Sequence, residues 1–288
     1  MFRLCAILSL AAALLACSAA ASHGPAPRQE ASAAAKKSGG KRTARAGGVS
    51  LTYDLALAPE VKAETAAASP LESATDKPDW FWPERAVFDL SAAYPAPAPS
   101  AARPEIHVCT VEGFKQAAAV SKDLMGRVGL TVRDLRLLLR RRPHAPAGEI
   151  PTLPFPDAHD AFRARLKYLR FKNGSGVAYL AQSQQDESLI NNEQLTYEFR
   201  GLTDDGRHYV YASLPAAAPA LAATRDAASH DGYSLPRSFD GPGRAAKVRA
   251  YRNYVGRVKR RLERLRPDDF TPSLRLVDEA LSSLAIDR

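Results

Sequence analysis

Between Arg165 and Leu214 the sequence alternates apolar and polar residues through four segments, interrupted twice by turn-forming dipeptides. Arg165 to Lys172 alternates, Asn173-Gly174 predicts a tight hairpin turn with positive backbone angles, and Val177 to Ala181 returns. Leu195, Tyr197 and Phe199 then point to one face while Thr196, Glu198 and Arg200 point to the other. After Asp205-Gly206, Val210, Ala212 and Leu214 alternate with Tyr209, Tyr211 and Ser213. A parallel sheet between two helical layers needs strands that are apolar throughout. The alternation therefore predicts an α+β fold, an antiparallel sheet of about six strands with flanking helices mainly on one face.

Upstream, Val49 to Tyr53, Ala86 to Leu90 and Ile106 to Val111 carry the same period, and ordered structure is expected to begin at Val49. Phe114, Ala117, Ala118, Val120 and Leu124 recur at helical spacing; a second helical piece is expected from Thr131, as N-cap, to Arg142, with Pro143 as the stop. A loop rich in Ala, Pro, Gly and Ser spans 216–243. Val248, Tyr251, Val255, Val258, Leu262 and Leu265 then form an apolar stripe three and four residues apart, and Thr271-Pro272 is expected to start a last helix carrying Leu274, Val277, Leu281 and Leu284. This predicts a C-terminal helical hairpin.

The N-terminus has the pattern of an export signal. Arg3 precedes an apolar run, Leu4 to Leu15, too short for a stable membrane span. Its end, Leu14-Leu15-Ala16-Cys17, resembles the lipobox of bacterial lipoproteins, which implies that Cys17 is acylated, with palmitate among the chains, and becomes the new N-terminus. The alternative is an ordinary secretory signal cut after Ala19-Ala20-Ala21, leaving a soluble exported protein. Ser18 to Gly47 has no large apolar residue, so it cannot offset the entropy of ordering and reads as a disordered tether with a reach of about 30 Å. The expected organisation is thus a signal peptide over 1–16, a lipidated tether over 17–47, an α+β domain over 48–243 and the helical hairpin over 244–288, packed on it.

Composition narrows the remaining classes. With 45% hydrophobic residues the 288-residue chain has the material for a sizeable core, and its 3 cysteines cannot build a disulfide framework. Cys5 leaves with the signal, so Cys109 is the single thiol of the folded part and is expected to be a packing residue. The chain carries 40 Lys+Arg against 31 Asp+Glu, a net charge of +9. The segment from Arg244 to Arg266 holds a single acid, Glu263, among its Lys and Arg residues. Arg249, Arg252, Lys259, Arg260 and Arg264 lie off the apolar stripe and are the candidate residues for binding an anionic surface.

Asp157, His159 and Asp160 are close enough to suggest metal ligands, but no H-E-x-x-H or paired-cysteine motif completes a site, and loop polarity explains them. Asn173-Gly174-Ser175-Gly176 does not open a helix and is a poor phosphate cradle, and G-x-S-x-G is absent. Trp80, Phe81 and Trp82 are either a groove for glycan or peptide or, as the stronger reading, core and loop anchors. No catalytic residues, cofactor or metal are therefore assigned.

The stretch from Arg163 to Val177 with its Asn173-Gly174-Ser175-Gly176-Val177 hairpin, Ile190-Asn191-Asn192, and Gly201-Leu202-Thr203-Asp204-Asp205-Gly206-Arg207 followed by Tyr209-Val210 resembles a family of uncharacterised bacterial lipoproteins. Leu51 to Ala58 and Trp80 to Glu84 fall where that family places an early strand and an apolar turn. The likeness covers Val49 to Pro215, implies an envelope location, and carries no activity or catalytic residues. The expected function is a non-enzymatic binding or structural module, anchored in the membrane through lipid. Its expected partners are anionic lipid or cell-wall polymer, and not nucleic acid. Ser18 after the cysteine favours an outer membrane, facing the periplasm, in a cell with two membranes. The alternative is an exported hydrolase with a noncontiguous active site.

Overall fold

The turns predicted from the sequence do join neighbouring antiparallel strands, within a wider sheet. The computed structural model describes residues 39–71, 81–94 and 103–287. In chain order the elements are β1 (Lys41–Ala46), β2 (Val49–Asp54), β3 (Lys62–Ala66), β4 (Arg85–Asp89), β5 (Glu105–Thr110), α1 (Val111–Ala117), α2 (Lys122–Arg141), β6 (His159–Phe171), β7 (Gly174–Gln184), β8 (Leu195–Thr203), β9 (His208–Pro215), α3 (Arg244–Arg264), α4 (Leu274–Ser282) and β10 (Ala285–Ile286). Seven strands form one antiparallel sheet in the order β3-β4-β5-β9-β8-β7-β6, and β1-β2-β10 form a second, three-stranded sheet. The α+β class holds, with more strands than the alternation alone revealed.

Ordered structure starts earlier than Val49. Residues assigned to the tether form β1, which pairs with β2 from Lys41↔Asp54 to Ala46↔Val49. Gly47 and Gly48 make the two-residue turn, with φ of 53° and 73° that suit glycine. β1 buries none of its side chains and is held by its backbone ladder, so it has no apolar signature. Residues 17–38 of the expected tether, Cys17 among them, lie outside the described residues.

The expectation of helices mainly on one face is corrected. On β7, Ala178 and Leu180 enter one core with Tyr254, Val258 and Leu262 of α3 and Val277 and Leu281 of α4. Val177, Tyr179 and Ala181 enter another with Val128, Val132, Leu135 and Leu139 of α2. Every residue of β8 is buried. The polar face of that strand is thus covered rather than solvated, and period two alone does not distinguish the two cases.

Helix boundaries also moved. The break falls at Ala118–Ser121, where the Ser121 hydroxyl accepts a hydrogen bond from the Leu124 N–H, so Thr131 is interior to α2. α2 ends at Arg141, with Arg142 at φ 48°, before Pro143. The last helix begins at Leu274 with Ser273 as N-cap, and the Thr271–Pro272 bond before it is cis. The β6–β7 turn takes no positive φ at Asn173 or Gly174. Gly174 is required for a different reason: a Cβ there would lie 2.1 Å from Cζ of Phe171.

Candidate functional site: a basic helix face and an acidic cleft

Helix α3 turns Tyr251, Tyr254, Val255, Val258 and Leu262 inward. Its cations then divide into two groups. Arg257 and Arg261 reach the Asp231 carboxylate at 3.2 and 3.4 Å, Arg244 lies 3.7 Å from Asp240, and Lys247 donates to the carbonyl oxygens of Ser238 and Asp240. These residues fasten the 216–243 loop to the helix. Arg249, Arg252, Lys259, Arg260 and Arg264 are all exposed and make no ion pair or hydrogen bond to any described residue. At 1.5 Å per residue this row extends about 22 Å along the outward face.

A second feature lies between the sheet and the segment 149–160. It is a cleft of about 340 Å³, with Trp82, Phe155, Tyr179 and Tyr211 among its walls and Asp160, Glu198 and Arg200 among its polar lining. Glu198 and Arg200 come from the covered face of β8 and pair at 2.6 Å with both side chains buried. The second Glu198 oxygen accepts from Ser213 Oγ at 2.7 Å. The Arg200 guanidinium also donates to Thr152 Oγ1, Phe199 O and Ala212 O, and stacks 4.1 Å over Tyr211. Burial pulls the Arg200 pKa down, but Glu198 and the surrounding tyrosines outweigh it and leave it above the ordinary value.

Asp160 accepts a long hydrogen bond from Ser183 Oγ at 3.4 Å. Burial first, and then the charges of Glu198 and Glu149, push its pKa up to about 6. Tyr179 is 2% exposed, lines the cleft and has no hydrogen-bond partner for its hydroxyl among the described residues. Burial raises its phenol well above the usual value.

The other candidates resolve individually. Asp157 and Asp160 line the cleft, whereas His159 is exposed, and no group of three or more His, Cys, Asp or Glu among the described residues is placed to hold a metal. Phe81 is fully buried in the second core and Trp82 forms a cleft wall; Trp80 lies outside the described residues. Cys109 packs in the same core, where burial pushes its thiol pKa far above the ordinary value. Asp205 accepts from Thr203 Oγ1 and from the Arg207 N–H, so its role is that of a turn residue. Among the described residues no helix is long and apolar enough to cross a membrane.

The sequence reading isolated the α3 row and missed the cleft. Glu198 and Arg200 were visible as the polar half of a strand, but which elements would cover that half was not. No family model matches the chain, and neither a curated protein nor a solved structure matches it.

Proposed function

We propose that the protein is a bacterial envelope lipoprotein that serves as a non-enzymatic binding module, anchored through Cys17 and presenting the outer face of α3 to an anionic lipid surface or cell-wall polymer. The carrying observation is the row Arg249, Arg252, Lys259, Arg260 and Arg264, exposed and unpaired among the described residues while neighbouring cations are tied to the 216–243 loop. A basic side chain held near an anionic membrane contributes about 1 kcal/mol. Five on one helix face therefore supply useful affinity without a pocket, and salt should weaken it.

The hydrolase alternative has its best support in the cleft, where Ser213 Oγ donates to Glu198. Both Glu198 oxygens are committed, one to Arg200 and one to Ser213, so the carboxylate is held as part of a buried ion pair. His107 stands beside Trp82 and Tyr211, yet its Nδ1 accepts from Arg85 and its Nε2 lies 3.3 Å from Glu105. These commitments favour binding over a Ser-base mechanism.

Co-sedimentation with vesicles of anionic and of neutral lipid tests the surface reading. Binding should be restricted to the anionic vesicles, fall with added salt, and disappear when the five cations are changed to Gln. Equal binding to both vesicle types overturns it. Intact mass of membrane-extracted protein tests the anchor: the expected mass begins at Cys17 with acyl chains attached.

A further inference from the structure

We propose that the cleft between the sheet and residues 149–160 binds a small organic cation, an amine with an apolar chain, held by the Asp160 carboxylate and the Tyr179 hydroxyl. This goes beyond the surface reading and stands without it, because no α3 residue lines the cleft.

Charge comes first. The lining includes the carboxylates of Glu149, Asp157, Asp160 and Glu198 against one guanidinium, Arg200. That guanidinium has five N–H donors. Four are already used, by Thr152, Phe199, Ala212 and Glu198, so Arg200 neutralises Glu198 and has little left for an anion. Asp157 accepts from Gln185 and Asp160 accepts only the long bond from Ser183. What faces the cleft is thus rich in acceptors and poor in donors, the complement of an ammonium group.

Shape and unsatisfied chemistry agree with this. Tyr179 is almost wholly buried, and a phenol in such a place ordinarily finds a partner. Its hydroxyl has no partner among the described residues and the residue lines the cleft, so the hydroxyl is free to bond a ligand there. The walls of Trp82, Phe155 and Tyr211 would shelter an alkyl chain from water. A sugar needs a bare ring face to stack on. Arg85 and Arg200 already lie over Trp82 and Tyr211, at 4.9 and 4.1 Å, which favours an amine over a glycan.

Cadaverine and pentanediol provide a matched pair of probes, alike in chain length and different in charge. Titration of the purified full-length protein, followed by calorimetry and by tryptophan emission, should show saturable cadaverine binding at least about tenfold tighter than the diol. Asp160→Asn should weaken cadaverine binding by about tenfold and Tyr179→Phe by several-fold. Thermal melts of both variants check that they are folded; should Asp160→Asn fail to fold, Tyr179→Phe and the diol comparison decide. Diol or glucose binding as tightly as cadaverine overturns the proposal, as does cadaverine binding unaltered in the variants. No saturable binding up to about 10 mM, a concentration at which a millimolar site is mostly filled, also overturns it.

Discussion

The single carboxylate in the basic helix, Glu263, accepts the backbone N–H of Arg165 at 2.8 Å. Arg165 sits at a positive φ of 55° within an irregular stretch of β6, and its guanidinium donates to the carbonyl oxygens of Leu262, Glu263 and Leu265. Those carbonyls belong to the last turn of α3 and to its C-cap, Leu265, so the cation also meets the negative end of the helix dipole. The pair therefore clamps the end of the charged helix to the sheet edge. Glu263→Gln should cost about 1 kcal/mol and Arg165→Ala more, because the latter removes several bonds at once. Chemical denaturation of both variants measures this, and unchanged midpoints would refute the clamp.

The buried Glu198–Arg200 pair makes a second prediction. Both side chains are close to fully enclosed, at 5% and 6% exposure. Arg200→Met leaves a buried carboxylate without its counter-ion and should cost about 3–5 kcal/mol. Adding Glu198→Gln to that variant should recover much of the loss, because the uncompensated charge is gone. A double-mutant cycle in urea reads the coupling directly; additive losses would show that the pair is not a unit.

Glycines at two kinds of position should respond with opposite signs. A Cβ at Gly176 would lie 2.2 Å from Phe199 Cζ and 2.8 Å from the Arg200 carbonyl oxygen, so Gly176→Ala should destabilise by about 1–3 kcal/mol. Gly126, within α2, has nothing within 4 Å of the added carbon. Gly126→Ala should stabilise by about 0.5–1 kcal/mol through helix propensity. Thermal melts of the two variants displaced in the same direction would contradict this.

What was legible in the sequence follows from where the decisive information lies. Leu195, Tyr197 and Phe199 share one core because alternation is a local property, and the a/d stripe of α3 buried Tyr251, Val255, Val258 and Leu262 for the same reason. Tyr254 also faces inward; it is fully buried, accepts from the Ile190 N–H and shares a hydrogen bond with His230 Nδ1, contacts set by tertiary structure. β1 escaped notice because its side chains remain exposed or half-exposed and Gly47-Gly48 is its one local signal. The cleft escaped for a different reason. Asp160, Tyr179 and Glu198 belong to three separate strands, and only the covering segment 149–160 turns a polar strand face into a lined cavity.

The raised pKa of Asp160 gives a pH dependence with a definite sign. The folded-state value is about 6 against an ordinary 3.8, with burial as the largest cause and Glu198 and Glu149 adding to it against Arg200 and Arg163. A raised folded value means that the native state binds its proton more tightly than the unfolded chain. The associated stability is fully present below about pH 4 and is lost as pH rises through 6. Glu105 and Asp205 act in the opposite sense, since their pKa values are lowered by hydrogen bonds from His107 and Thr203, and they lose stability as pH falls. The whole-protein curve mixes these contributions, so the informative quantity is the difference between the native protein and Asp160→Asn. The two should be similarly stable near pH 4, and the variant should become the more stable of the two by pH 7. Melting temperatures taken between those limits test it, and curves that stay parallel would show that Asp160 does not titrate in this range.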